Sequence, residues 1–324
     1  MTQETQIRSQ QTPLLGDVVR RFGLPLVLLA VCLVFATVMP VFLSLDNMES
    51  MLRSASIAGF MFLGLTWVFA VGEIDVSFVA VAAIANMIIA GLVSGGTSWE
   101  LACLIGFAAG ILVGVANGFL VAYLKLPSLV TTIAVGGIAA ALAASIGEGY
   151  SISIDKPDAL SFVTTVTFGP IPLLAALCGA TFFAAWYVQE RLTLGQYIYA
   201  IAENREAVLE AGIPVRQIVL LLFVFSAVCS SLAGVLLTIE LSSGQPSIAG
   251  SFFLDGLTAV LLGGTMLKLG KPNVVGTLFS VLILTALVRG GALLGWPDSF
   301  FQIMKGGLLV VGVAIITMTH KDRA

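Results

Sequence analysis

Charged side chains are scarce in this chain of 324 residues, at 10% of the total, against roughly 25% in soluble domains. With a mean hydropathy of +1.06, a fold dispersed in water would expose more apolar surface than water tolerates. Histidine is nearly missing as well. The single one, His320, stands in the terminal tail, which excludes a Ser-His-Asp constellation and a histidine-based metal site. Cysteine is sparse and scattered: Cys32, Cys103, Cys178 and Cys229 each fall in a separate apolar run without C-x-x-C spacing. They read as small packing residues, not as disulfides or metal ligands. A phosphate loop is also lacking. The stretch "GGTMLKLGKP" at 263–272 misses the G-x-x-x-x-G-K-[ST] spacing, and Pro272 stands where the magnesium-binding hydroxyl would be. No enzyme, no ATP hydrolysis by the chain itself, no metal and no cofactor are therefore expected. A net charge of −3 leaves no basic footprint for nucleic acid.

What the chain does have is long apolar runs. About ten can be counted, near 24–43, 53–71, 76–93, 101–123, 129–146, 171–189, 218–239, 252–267, 274–289 and 302–318. Most approach the ~20 residues that a spanning helix needs, and none alternates as a barrel strand would. The expected fold is all-α, a polytopic transmembrane helical bundle of about ten spans. No small-x-small cleavage site follows the run that begins at Leu24, so an uncleaved first span is expected. An even number of crossings puts both termini on one side, and the basic residues say which. With the N-terminus inside, inner segments hold Arg8, Arg20, Arg21, Lys125, Arg191, Arg205, Arg216, Lys268, Lys271, Lys321 and Arg323. The outer side keeps Arg53, Lys156, Arg289 and Lys305. Both termini are thus expected in the cytoplasm. The organisation read from this is a cytoplasmic tail at 1–23, one transmembrane domain at 24–318 with an inner loop at 190–217, and a cytoplasmic tail at 319–324.

Polar residues interrupt this pattern at a few places. "AVGEIDVSF" sets Glu73 and Asp75, with Ser77 after them, between two runs barely long enough for two crossings. A carboxylate at bilayer depth costs about 2.5–3.5 kcal/mol on insertion scales, so the segment is either a broken helix beside a wet pathway or a tight inner loop with solvated carboxylates. Asn86 and Asn117 lie inside spans, as glue between helices or as lining of the pathway. Ser242, Ser243, Gln245 and Ser247 cluster after the seventh run, and Asp255 opens the eighth. Such groups suit hydrogen bonding to a polyhydroxylated solute. Capping and turn formation around Gly244 and Pro246 account for part of the cluster, including Ser251. In the fourth run Gly106, Gly110, Gly114 and Gly118 share one helical face, a groove for close approach of another backbone. The partner in that groove is either another helix of this chain or a second subunit. The outer segment 147–170 is either a short structured cap or a plain linker.

The densest polar stretch is "AIAENREAVLEAGI" in the inner loop. A charged amphipathic helix there needs a soluble partner, because the chain has no cytoplasmic domain of its own. Its mixed signs argue against a helix lying on the membrane surface.

"GEIDVS", the "AIAENREAVLEAGI" loop, "LSSGQPSIAGSFFLDGLTAVLLGGT" and "GKPNVVGTLFSVLILTAL" together resemble the membrane subunits of ribose-type ABC importers, from about residue 45 to the C-terminus. In that family the first motif usually begins Gly-Gly-Ile-Asp; here Glu73 replaces the second glycine. The resemblance implies a bacterial inner-membrane permease subunit for a monosaccharide or related polyol. It implies as partners two ABC ATPase subunits, a periplasmic sugar-binding protein and a second permease copy or paralogue, in a lipid bilayer. It also implies that the inner loop forms a coupling helix on the ATPase, with Glu203, Asn204, Arg205, Glu206, Ala207 and Gly212 as the matching residues. The pathway would then draw on Glu73, Asp75, Ser77, Asn86, Asn117, Ser242, Gln245 and Asp255. An ion-gradient-driven secondary transporter, with Glu73 and Asp75 carrying protons, is the alternative.

Overall fold

The computed structural model describes residues 13–157, 162–163 and 165–321. Each apolar run becomes one helix: α1 (Pro13–Val38), α2 (Leu45–Ala70), α3 (Phe78–Ser94), α4 (Trp99–Ala122) and α5 (Ser128–Ile146) in the first half. In the second half follow α6 (Leu173–Arg191), the two short helices α7 (Thr193–Glu203) and α8 (Arg205–Glu210), then α9 (Val215–Leu241), α10 (Ile248–Gly263), α11 (Val274–Leu293) and α12 (Asp298–Lys321). Among the described residues 8 helices are long and apolar enough to cross a membrane, and α3 and α10 are shorter apolar helices. The 17 residues of α3 span only ~26 Å at 1.5 Å per residue, less than a bilayer core of ~30 Å. Each short helix is preceded by a non-helical polar stretch, 71–77 before α3 and 242–247 before α10.

Burial sorts the helices by position. α2 is almost wholly enclosed, and α9 and α3 pack with it into the main core. α1 and α12 lie at the rim with apolar faces turned outward, including Leu29, Leu33 and Val34 on one and Ile303, Val310 and Val311 on the other. This is the burial expected where lipid, not water, is the outer solvent.

The glycine face of α4 meets neighbours within the chain. A Cβ on Gly110 would lie 2.1 Å from Ser231 Oγ, one on Gly114 2.2 Å from Ala227 Cβ, and one on Gly118 2.8 Å from Leu220. Gly106 faces Ile89 and the carbonyl of Ala85 on α3. The groove is thus filled by α9 and α3, and the partner is intramolecular.

Several expectations need correction. The inner polar stretch is two helices, not one, because Asn204 takes an extended φ of −153° between them and caps α8, accepting from Ala207 N at 3.0 Å. Ser251 caps nothing; it lies inside α10 and its hydroxyl donates to Ile248 O. Arg53 and Arg289, at the edges of their apolar runs, lie within α2 and α11, where Arg289 donates to Ser50 Oγ and Ser54 Oγ. Lys305 lies well inside α12, nearly buried, with its ammonium on Asp255. The terminal tail at 319–324 begins inside α12, which runs to Lys321; residues 322–324, like 1–12, lie outside the described residues.

The segment after α5 carries structure. Ile152–Ser153 pairs antiparallel with Ser243–Gly244, and Trp99 Nε1 donates to Asp155 O at 3.1 Å. Part of 147–170 lies outside the described residues.

Candidate functional site

The link between α2 and α3 is short, extended and held by side chains. Gly72, at φ 88°, ends α2 in the left-handed region that a β-carbon disfavours. Beyond it the backbone has no ladder of its own. Ile74 N donates to Ser128 Oγ at 3.0 Å and Val76 N to Thr132 Oγ1 at 3.2 Å, both on α5. Thr132 Oγ1 in turn donates toward Ile74 O at 3.2 Å and toward Ser128 O at 2.9 Å. Buried backbone groups must find partners, and here hydroxyls of a neighbouring helix supply them.

Asp75 is the centre of this link. It is 3% exposed, and its Oδ1 accepts from Ser77 N at 2.8 Å and Ser77 Oγ at 2.6 Å. Its Oδ2 accepts from Ser226 Oγ on α9 at 2.9 Å. Asn117 of α4 donates to Ser77 Oγ at 2.7 Å, while Asn117 Oδ1 is buried without a hydrogen-bond partner. Asp75, Ser77 and Asn117 thus form one buried network joining α3, α4 and α9. Asp75 is therefore not the solvated carboxylate of a tight loop.

Glu73, two residues earlier, faces the other way. Its Oε1 accepts from Arg205 Nη1 at 2.7 Å, across 132 positions of sequence. The two line a cavity of about 480 Å³ together with Lys125, Ser128, Glu206 and Arg216. Of the residues expected on the coupling element, Arg205 and Glu206 therefore border this cavity. Ala207 and Gly212 are exposed on the surface beyond it, and Gly212, at φ 80°, closes α8.

The end of α6 and α7 are both fastened to the link before α11. Lys268 pairs with Glu190 at 2.7 Å, and Lys271 with Glu203. Both ammonium groups lie over the Tyr199 ring, whose hydroxyl donates to Pro272 O at 3.1 Å. The hydrogen bond from Lys271 holds the Glu203 carboxyl below its ordinary range, and burial raises the Tyr199 phenol above its own. Asn273 fixes the same link by donating to Met266 O and Gly263 O and capping α11 at Gly276 N.

At the start of α10 the polar cluster turns inward. Asn86, fully buried, donates to Thr238 Oγ1 at 2.8 Å and Ser243 O at 3.0 Å, and accepts from Gln245 N at 2.7 Å. Gln245 Nε2 reaches Ser243 Oγ, and Ser242 ends α9 in a left-handed turn at φ 49°. Asp255 is engaged elsewhere: Lys305 Nζ lies 2.8 Å from its Oδ1 and 2.9 Å from its Oδ2, the latter with hydrogen-bond geometry.

A second groove of about 570 Å³ runs along the outer side of the link, walled by Ile74, Val76, Val79, Leu129, Thr132, Gly136, Phe253 and Leu257 among others. Phe253 of its wall stacks on the buried Phe78 at 6.5 Å, so the starts of α3 and α10 meet beside it. Its wall is apolar except for Thr132. None of the polar residues singled out in the sequence lines it; Asp75, Ser77 and Asn117 stand behind the wall that Ile74 and Val76 form. Among the described residues no cluster of His, Cys, Asp and Glu could hold a metal.

Residues 47–313 match the protein family described as branched-chain amino acid transport system / permease component. The chain is 30% identical over 319 residues to the ribose import permease protein RbsC of Bacillus subtilis (strain 168), covering 98% of each. It is 32% identical over 266 residues to the galactofuranose transporter permease protein YtfT of Escherichia coli (strain K12), covering 82% of this chain and 77% of the relative. It is 27% identical over 298 residues to the L-arabinose ABC transporter permease protein AraH of Azospirillum brasilense, covering 92% and 87%. No solved structure matches the chain.

Proposed function

The chain belongs to the branched-chain amino acid transport system / permease component family, and from that membership we propose that it is the membrane-spanning subunit of an ATP-driven importer for a monosaccharide. The observation that carries this reading is the end-to-end match with a ribose import permease. The family's title names amino acids, but three relatives that match over most of their length carry sugars in their own titles. It is a multi-pass protein of the bacterial inner membrane and a transport subunit, not an enzyme. ATP hydrolysis belongs to a separate ABC ATPase, and a binding protein delivers the solute.

We further propose that both termini and α7–α8 face the cytoplasm, and that α8, with Glu203 and Asn204 leading into it, docks on the ATPase. The segments 1–23 and 319–324 would then be the cytoplasmic ends of one transmembrane domain. Two copies, or this chain and a paralogue, would face each other in the bilayer with the groove beside the 73–77 link toward the shared pathway. The polar network behind that wall would set its shape, and the binding protein would supply selectivity.

The test is purification from native membranes in mild detergent, with the co-purifying proteins identified. It is followed by uptake of labelled ribose, arabinose and galactofuranose into proteoliposomes holding the recovered complex. Uptake that requires ATP and the binding protein is expected. Gradient-driven uptake by the chain alone, with no ATPase recovered, would return the secondary-transporter reading.

A further inference from the structure

We infer that the Glu73–Arg205 ion pair is the strut by which displacement of α8 reaches the groove wall. This rests on the reading of α8 as the ATPase-docking helix and adds the path inward from it. Glu73 carries the side-chain bond from the link to α8, and its side chain is 13% exposed, against 39% for Arg205. The charge-assisted contact at 2.7 Å is short and directional. Immediately after Glu73 come Ile74 and Val76, whose side chains wall the 570 Å³ groove. Their backbone N–H groups are held by Ser128 and Thr132 alone.

The mechanical logic follows from where the link is attached. On the core side it is fixed to α9 and α4 through Asp75 and Ser77. On the groove side it is fixed to α5 by two hydroxyls. Neither attachment reaches α7 or α8. A movement of α8 therefore arrives at the link through Arg205, with the looser packing of Ala202 over Gly72 beside it. Gly72 at φ 88° and the extended residues after it can turn without breaking a helical ladder. The ion pair also faces a cavity with Lys125 and Arg216 on its wall. These cations offer Glu73 alternative partners when α8 shifts. Glu73 is thus a positioning residue for the transport cycle, acting through the link and not on the solute.

The experiment is a double-mutant cycle on the complex purified with its ATPase and binding protein and placed in proteoliposomes. Glu73→Ala, Arg205→Ala and the double variant are compared for ATPase recovery, uptake, and ATP hydrolysed per solute imported. ATPase recovery with Glu73→Ala is expected at the parental level. ATP per solute is expected to rise by about fivefold or more, the span of typical coupling between sites. The double variant should be no worse than the worse single one, since partners in one contact are non-additive. Effects that multiply, a parental ratio in Glu73→Ala, or loss of the ATPase from Glu73→Ala would each overturn the strut. Ala207→Arg, run in parallel, separates the two claims. If it keeps the ATPase and transports normally, α8 is not the docking helix and the underlying reading fails first.

Discussion

Removing Lys305 should destabilise the protein more than removing Lys305 and Asp255 together. The pair joins α10 to α12, with side chains 9% and 18% exposed and a nearest approach of 2.8 Å. At an effective dielectric of about 20, that separation gives a gross attraction of about 6 kcal/mol. Desolvating the two ions takes several kcal/mol each in return, so the net contribution of the intact pair is small. The asymmetry appears when one member is removed. Lys305→Met leaves Asp255 enclosed without its cation, and the cost is expected at about 3–5 kcal/mol. Asp255→Leu with Lys305→Met replaces both charges by apolar groups and is expected within about 1 kcal/mol of the parent, or more stable. Reversible unfolding in mixed micelles, followed by tryptophan fluorescence, measures both differences. Uptake by the double variant should stay within about twofold of the parent, the equivalent of 0.4 kcal/mol. A double variant as unstable as the single one would refute the reasoning. One that is stable but inactive would return Asp255 to the pathway, where the sequence first put it.

Three further outcomes are expected. Asp75→Leu strips three hydrogen bonds from the link and leaves Ser226 without its acceptor; the loss should exceed about 3 kcal/mol and uptake should fall with it, while Asp75→Asn should be milder in the same unfolding and uptake assays. Ala207→Arg, on the exposed face of α8, should leave membrane insertion near normal but abolish uptake and weaken recovery of the ATPase. In a cysteine-free background, Asp155→Cys should react with an impermeant thiol reagent from outside intact cells and Glu210→Cys should not; the reverse labelling would invert the bundle and remove α8 from the ATPase side.

The helices were legible because most apolar runs are near a spanning length and nothing else satisfies a backbone in lipid. Their edges were not. Lys305 stands within an apolar run, and a lone cation there gives no sign of a partner 50 residues away. The left-handed Gly212 and the cap at Asn204 are local chemistry, and local chemistry can be read from neighbours in sequence. The attachments of the 73–77 link cannot. Ser128, Thr132 and Ser226 are unremarkable hydroxyls in apolar helices, and only the packing of α5 and α9 against the link gives them their roles. Glu73 was visible as an extra carboxylate, but its meaning lay in Arg205, far along the chain. Asn86 and Asn117 could be read from sequence as glue between helices or as pathway lining; that Asn86 grips the turn before α10 was beyond what spacing can tell.

The glycine face of α4 has a consequence for motion. Where two backbones approach so closely that no β-carbon fits between them, sliding by a fraction of a turn would drive side chains into carbonyls. Such contacts hold one arrangement and resist all others. α4, α9 and α3 must therefore travel as a single body. Any rearrangement that opens one side of the membrane and closes the other has to run along seams that glycine holds less tightly: between α5 and the 73–77 link, where a Cβ on Gly136 would stand 3.1 Å from Ser77, and between α10 and α12, where one on Gly312 would stand 3.3 Å from Leu262 N. The hinge of this protein is defined by where its small residues press least closely.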